Sequence, residues 1–251
     1  MRNYLSAECY KVFHRSYFYL TLLVCLALEG LLLWGSWLTY HWGNGAIDFY
    51  STALMIPVLL SVGMYATLLT TDMVFSDQYK HNTLKNEVSY GLSRTRIYVG
   101  KLLVSLLVSL VAGVIMVGFY LMGCWVLYPH NELDQAALSL IGYTLSGALP
   151  LWFGAQAVSV FCVFHVRSST VGSFLALGIL GILPSMLQAF GMLFHPVFET
   201  MRQYTPAFML DNLKNMAFSG NYIGLCWASG LLWFAVFAVA GVVLFQKKEI
   251  R

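Results

Sequence analysis

The side chains able to do chemistry in this 251-residue chain are few, and most of them stand together. Between Asp72 and Lys101 lie five of its 14 basic and three of its 11 acidic residues: Lys80, Lys85, Arg94, Arg96 and Lys101, with Asp72, Asp77 and Glu87. Away from this stretch, Glu29 stands about halfway along an apolar run, where insertion scales put the cost of a charge at about 2.5–3.5 kcal/mol. Two roles suit it: a substrate or gating contact in a translocation route, or a structural hydrogen bond to a neighbouring helix, for example to Gln156 or Gln188. Cys162 and His165 have ligand chemistry at helical spacing, but two ligands leave a metal site half built. His41, His130 and His195 fall near the ends of apolar segments. Gly100-Lys101 is followed by Leu102, and Thr95 stands where a phosphate-binding loop requires Gly, so the chain carries no such loop. No His-Glu-x-x-His motif or marked nucleophile is present, and no catalytic residue is assigned.

The elements that hold these groups are not those of a soluble domain. The chain is 59% hydrophobic and 10% charged, with a mean hydropathy of +0.71; soluble domains average about 25% charged residues. Six charge-poor segments, roughly 17–39, 51–71, 102–128, 136–164, 169–195 and 222–245, are each long enough to cross a bilayer core of about 30 Å as a helix. They are continuous runs rather than alternating strands, so the expected fold is all-α, a single polytopic membrane domain over 1–251. Basic residues set its orientation. With both termini cytoplasmic, 12 of the 14 Lys and Arg residues fall inside, and only Arg202 and Lys214 fall outside. The stretch 72–101 is then a cytoplasmic loop. Trp34, Trp37, Tyr40, Trp42, Trp125 and Tyr128 crowd the outer ends of the first and third spans, where aromatics favour the headgroup level. Pro57, Pro150 and Pro184 lie inside spans and are expected to kink them. The five cysteines are scattered and read as small apolar side chains. No basic run suggests nucleic acid.

Residues 1–16 are too polar for a cleavable signal and read as an amphipathic helix in the inner interface. On a helical wheel Met1, Leu5, Cys9, Val12 and Phe13 share a face, with Glu8, Lys11, His14 and Arg15 away from it. Residues 196–221 are neither charged enough for a solvated loop nor apolar enough to span. They fit two short interfacial or re-entrant helices broken near Pro206. Inside 72–101, Asn82 or Thr83 can cap a short helix, Gly91 suits its stop, and Ser93 can cap the helix that runs through Lys101 into the third span. Leu84, Val88, Tyr90 and Leu92 are the apolar side chains such an element could insert into a partner's groove.

Six spans, an interfacial first helix, a broken last outer loop and a polar second-to-third loop that ends Ser93-Arg94-x-x-Ile97-x-x-x-Lys101 resemble the type 2 ABC exporter permeases. The layout matches over nearly the whole chain. The family's Gly before Thr83 is Asn82 here, and its upstream Glu is at best Asp77. The resemblance implies that the short helix is a coupling helix fitting a cleft in a separate nucleotide-binding subunit. Thr83, Leu84, Val88, Tyr90 and Leu92 would seat it, with Arg94 and Arg96 pairing to acidic groups of the partner. It further implies two ATPase subunits carrying ATP and Mg, a second permease chain, identical or not, and residence in the cell membrane. This chain itself would bind no cofactor. Size and resemblance suggest an antimicrobial peptide or other amphiphile as the exported substrate. The rival readings are an intramembrane enzyme, for which only Glu29 and scattered Ser, Thr and Gln are available, and an ATP-independent scaffold or channel, which leaves the docking element without a purpose.

Overall fold

In a computed structural model that describes residues 1–43, 47–81, 87–166, 168–216 and 218–247, the side chains of 76–81 excepted, the apolar segments are helices. A bilayer leaves them little choice, because every backbone N–H and C=O must be satisfied within the segment. The elements are α1 (Arg2–Phe13), α2 (Ser16–Trp42), α3 (Phe49–Ala53), α4 (Ile56–His81), α5 (Arg94–Leu127), α6 (Asp134–His165), α7 (Ser169–Leu177), a π-helical turn (Gly178–Ile182), α8 (Leu183–Leu193), α9 (Val197–Gln203), α10 (Pro206–Asn212) and α11 (Gly220–Lys247). No strand occurs among the described residues. Among the described residues six helical stretches are long and apolar enough to span: Ser16–Trp42, Phe49–Phe75, Arg94–Leu127, Asp134–His165, Ser169–Leu193 and Gly220–Lys247.

The three prolines act differently. A two-residue turn at Leu54 and Met55 divides α3 from α4 just before Pro57, and the π turn immediately precedes Pro184. Each break falls where a proline nitrogen cannot donate to the turn before it. Through Pro150, by contrast, α6 continues as α-helix.

The central element is α6, 78% of whose most apolar window is buried, against 17–39% for the other spans. Glycine lets α11 lie directly on it: a Cβ on Gly154 would stand 3.0 Å from the Gly230 carbonyl oxygen, and Gly230 itself rests on the Pro150 carbonyl. Against α4, the same helix makes a buried polar seam. Gln156 donates to Thr71 Oγ1 at 2.7 Å and accepts from Thr70 Oγ1 at 3.1 Å, while Thr67 and Ser159 hydroxyls meet at 3.1 Å. Gln156 is thereby occupied and does not reach Glu29.

The 196–221 segment forms the two short helices expected, with Pro206 opening the second. They pack against α11 and α4. The Tyr204 carbonyl accepts from Ser229 Oγ at 2.7 Å and Trp233 Nε1 at 3.0 Å. Ser229 lies roughly 14 Å along α11 from its first residue at 1.5 Å per residue. Thr205, Pro206, Ala207, Met209 and Leu210 are buried there, and Ser61 of α4 donates to Asp211 at 2.8 Å. Irregular backbone at that depth is covered by protein, as it must be.

Candidate functional site

At the end of the bundle where α11 finishes at Lys247, α1 lies across the start of α5 and the end of α4. The wheel assignment of α1 holds for Leu5, Cys9, Val12 and Phe13, which pack inward, and needs correction at Met1 and Glu8. The inward face includes Tyr4–Glu8–Val12, three residues at helical spacing. Met1 is exposed, and Glu8 is only 3% exposed. Tyr4 can approach because α5 presents Gly100 beneath it, where a Cβ would stand 2.5 Å from the ring.

Glu8 turns inward because Lys101 is there. About two turns inside α5, Lys101 is 1% exposed, and its Nζ donates to Glu8 Oε2 at 3.0 Å. The second Glu8 oxygen accepts from Lys11 at 2.6 Å. Lys101 also stands 3.6 Å from Glu87 Oε1, and its ammonium lies 5.7 Å from the centre of the Phe75 ring. Tyr4 Oη closes the network by donating to Glu87 Oε2 at 3.0 Å. Burial pushes the Glu8 carboxyl up, but Lys101 and Lys11 outweigh it and hold the group below the usual carboxylate range. Burial, reinforced by Glu8 and Glu87, pushes the Tyr4 phenol far above its ordinary value, so it remains a donor. Four side chains from three segments are thus paired away from water, the condition under which a buried ion is tolerated.

Glu87 begins the described part of the short helix anticipated in this stretch. Residues 87–89 are helical, and the turn ends as predicted at Gly91, whose φ is +82°. Gly91 N–H donates to the Val88 carbonyl at 3.0 Å and Leu92 N–H to the Glu87 carbonyl at 3.3 Å. That pair of bonds is a Schellman stop, and it uses the left-handed backbone that glycine adopts without strain. Thr83 and Leu84, like Asn82, lie outside the described residues. Val88 and Leu92 are half-buried against the cluster formed by Phe75, Tyr98, Phe164 and Phe245. Tyr90 points away and is 88% exposed.

The polar stretch is also shorter as a loop than 72–101, because α4 runs on to His81 and α5 starts at Arg94. Ser93 occupies the cap position of α5 without a side-chain cap bond. Arg94 donates to the carbonyls of Phe245 at 3.2 Å and Gln246 at 2.7 Å, so it ties the start of α5 to the last turn of α11. Arg96 is exposed. Asp72 accepts from Tyr17 at 3.1 Å and from Ser169, joining α2, α4 and α7. His165 Nδ1 faces the Phe161 carbonyl at 2.9 Å, and no three His, Cys, Asp or Glu among the described residues gather as metal ligands would.

Sequence reasoning singled out the stretch but missed Tyr4 and Glu8 and gave Lys101 no partner. A signal was present: Lys101 stands at the very foot of the third apolar run, where a charge calls for a counterion. Glu29 is the opposite case. It is the central residue of α2 and 6% exposed, and its Oε2 is buried without a hydrogen-bond partner.

A bundle of six apolar helices with one end organised around a short, outward-facing helical turn defines a multi-pass membrane subunit. The sequence model of the ABC-2 family transporter proteins matches residues 4–184, and the chain belongs to that family. It is a membrane permease component of an ABC transporter, and membership implies an ABC ATPase partner. The match takes in Tyr4, Glu8, Glu29, Glu87 and Lys101 and stops before residues 196–221. No curated protein matches the chain.

Proposed function

We propose that this chain is the permease subunit of an ATP-driven exporter in the cell membrane, with both termini and residues 87–92 on the cytoplasmic side. Two copies, or this chain and a related one, would form the translocation route, with two ATPase subunits carrying ATP and Mg. The exported substrate is an amphiphile such as an antimicrobial peptide. The placement of 12 of the 14 basic residues supports the orientation.

The observation that carries the reading is the ionic seat beneath the 87–92 turn. A coupling element has to pass displacement to the spans. Glu87 is in contact with Tyr4 of α1 and Lys101 of α5, so a push on the turn moves α1 and the third span together. Val88 and Leu92 serve as the inner face of that seat, and Tyr90 as the knob offered to the ATPase subunit. Arg96 remains available to an acidic partner group, while Arg94 is engaged with α11.

The test is a gentle-detergent pull-down of the tagged chain from its own membranes, with co-purifying chains identified by mass spectrometry. A soluble subunit carrying a phosphate-binding loop is expected. Tyr90→Asp should lower its recovery by about tenfold without changing membrane insertion, as loss of a central aromatic anchor does. Full recovery with Tyr90→Asp would move the docking site elsewhere.

A further inference from the structure

Glu29 faces a small cavity of about 50 Å³ between α2, α4, α5 and α6, walled also by Thr70, Ser109, Gly113, Tyr120 and Trp152. None of these supplies a counter-charge. Tyr120 Oη is spent on the Thr52 carbonyl at 3.1 Å, and Thr70 Oγ1 on Gln156 at 3.1 Å. Trp152, with Leu60, Gly113 and Val117, also lines a second cavity of about 380 Å³, walled further by Leu110, Leu121 and Leu145. Its indole passes through a notch of two glycines: a Cβ on Gly63 would stand 2.6 Å from the ring, and one on Gly113 2.8 Å. The indole N–H is fixed on the Leu60 carbonyl at 3.1 Å. Val114 and Leu110, on the rim of the larger space, are exposed on the apolar outer surface, so the groove opens toward the bilayer.

We propose that this compound cavity binds a lipophilic amine, with the protonated nitrogen against Glu29 and the alkyl or aryl body in the larger groove alongside Trp152. A carboxylate oxygen buried with no donor is strongly disfavoured, and protonating it would still leave a hydroxyl without an acceptor in an apolar wall. An ammonium group brings both the charge and the donors. The larger space falls within the roughly 300–1,000 Å³ usual for small-molecule sites, and its walls are apolar as such sites are. Access from the bilayer side selects a ligand that partitions into lipid. As a site for transported cargo it rests on the exporter reading; as a binding site it does not.

The experiment uses the full chain alone in phosphatidylcholine nanodiscs, without any ATPase subunit, so a failure of docking at Tyr90 leaves it untouched. Tryptophan quenching is titrated with a bromine-tipped dodecylamine and with the corresponding bromine-tipped dodecanol. The signal lost in Trp152→Phe isolates the indole in the cavity wall. Saturable quenching by the amine is expected at about tenfold lower concentration than by the alcohol, the scale of one charge-assisted contact. Glu29→Gln should bring the amine to the level of the alcohol. Equal response to both probes in the unaltered protein would overturn the proposal and leave a groove for acyl chains. An amine preference that survives Glu29→Gln would overturn it too, as would the absence of saturable quenching, the result expected if a second copy of the chain fills the groove.

Discussion

Lys101 and Glu29 are both charges within helices long and apolar enough to cross a membrane, and the protein treats them in opposite ways. Lys101 has Glu8 at 3.0 Å, Glu87 at 3.6 Å and an aromatic face. Glu29 has a buried oxygen with no partner. Burying an ion is unfavourable in either place, but only the first is compensated within the fold. A compensated charge fixes the relative position of the segments that supply its partners, here α1, the 87–92 turn and α5. An uncompensated one contributes little to the fold and leaves an interaction open to something else. The end carrying α1 is therefore a structural joint, and the cavity beside Glu29 is a receptor.

Breaking the compensated site should have the largest effect. Glu8→Ala leaves Lys101 buried beside the more distant Glu87 and should lower the stability of the folded chain by about 3–5 kcal/mol, the usual result of removing one partner of a buried pair. Thermal unfolding in mild detergent measures it. Adding Lys101→Met should recover much of the loss, because both charges then disappear together; a double variant no better than Glu8→Ala would mean that α1 is held by its apolar face alone.

A smaller effect follows from pH. The Glu8 carboxyl is held below its unfolded value of 4.5 by Lys101 and Lys11. A carboxyl depressed in the folded state stabilises fully above its unfolded pKa, and that stability is lost as pH falls through the folded pKa. The unfolding temperature should therefore decline as pH falls below the unfolded value of the carboxyl, and Glu8→Gln should remove most of this slope while being less stable at neutral pH. An unchanged slope in Glu8→Gln would assign the acid sensitivity to other carboxylates.

The same contrast explains what could be read from the sequence. Span positions were legible because charge-free length is a local property, and all six apolar runs became the spanning helices. Gly91 and Pro206 were legible because a left-handed residue and a missing N–H act within one turn. Glu8 was not. A wheel places a carboxylate toward water, and Lys11 three residues on looks like a sufficient surface partner; the decisive cation is 93 residues away. The partners of Arg94 were hidden for the same reason, since its acceptors are carbonyls at the far end of the chain. Glu29 was found as an anomaly, but its isolation could be seen only once Gln156 was known to be committed to Thr70 and Thr71.

The smallest expected effect is on the uncompensated side. Glu29→Gln replaces a charge that has no partner with a neutral group of the same shape, so no interaction within the fold is lost. Thermal stability of the ligand-free chain should stay within about 0.5 kcal/mol or rise, the range of a substitution that breaks no buried pair. The carboxylamide keeps two donors and an acceptor, so it offers the cavity no better internal partner than the carboxylate had. Unfolding measured side by side with Glu8→Ala gives the contrast directly. A loss for Glu29→Gln comparable to that for Glu8→Ala would mean that Glu29 holds helices together after all, and the distinction between joint and receptor would fail at its second member.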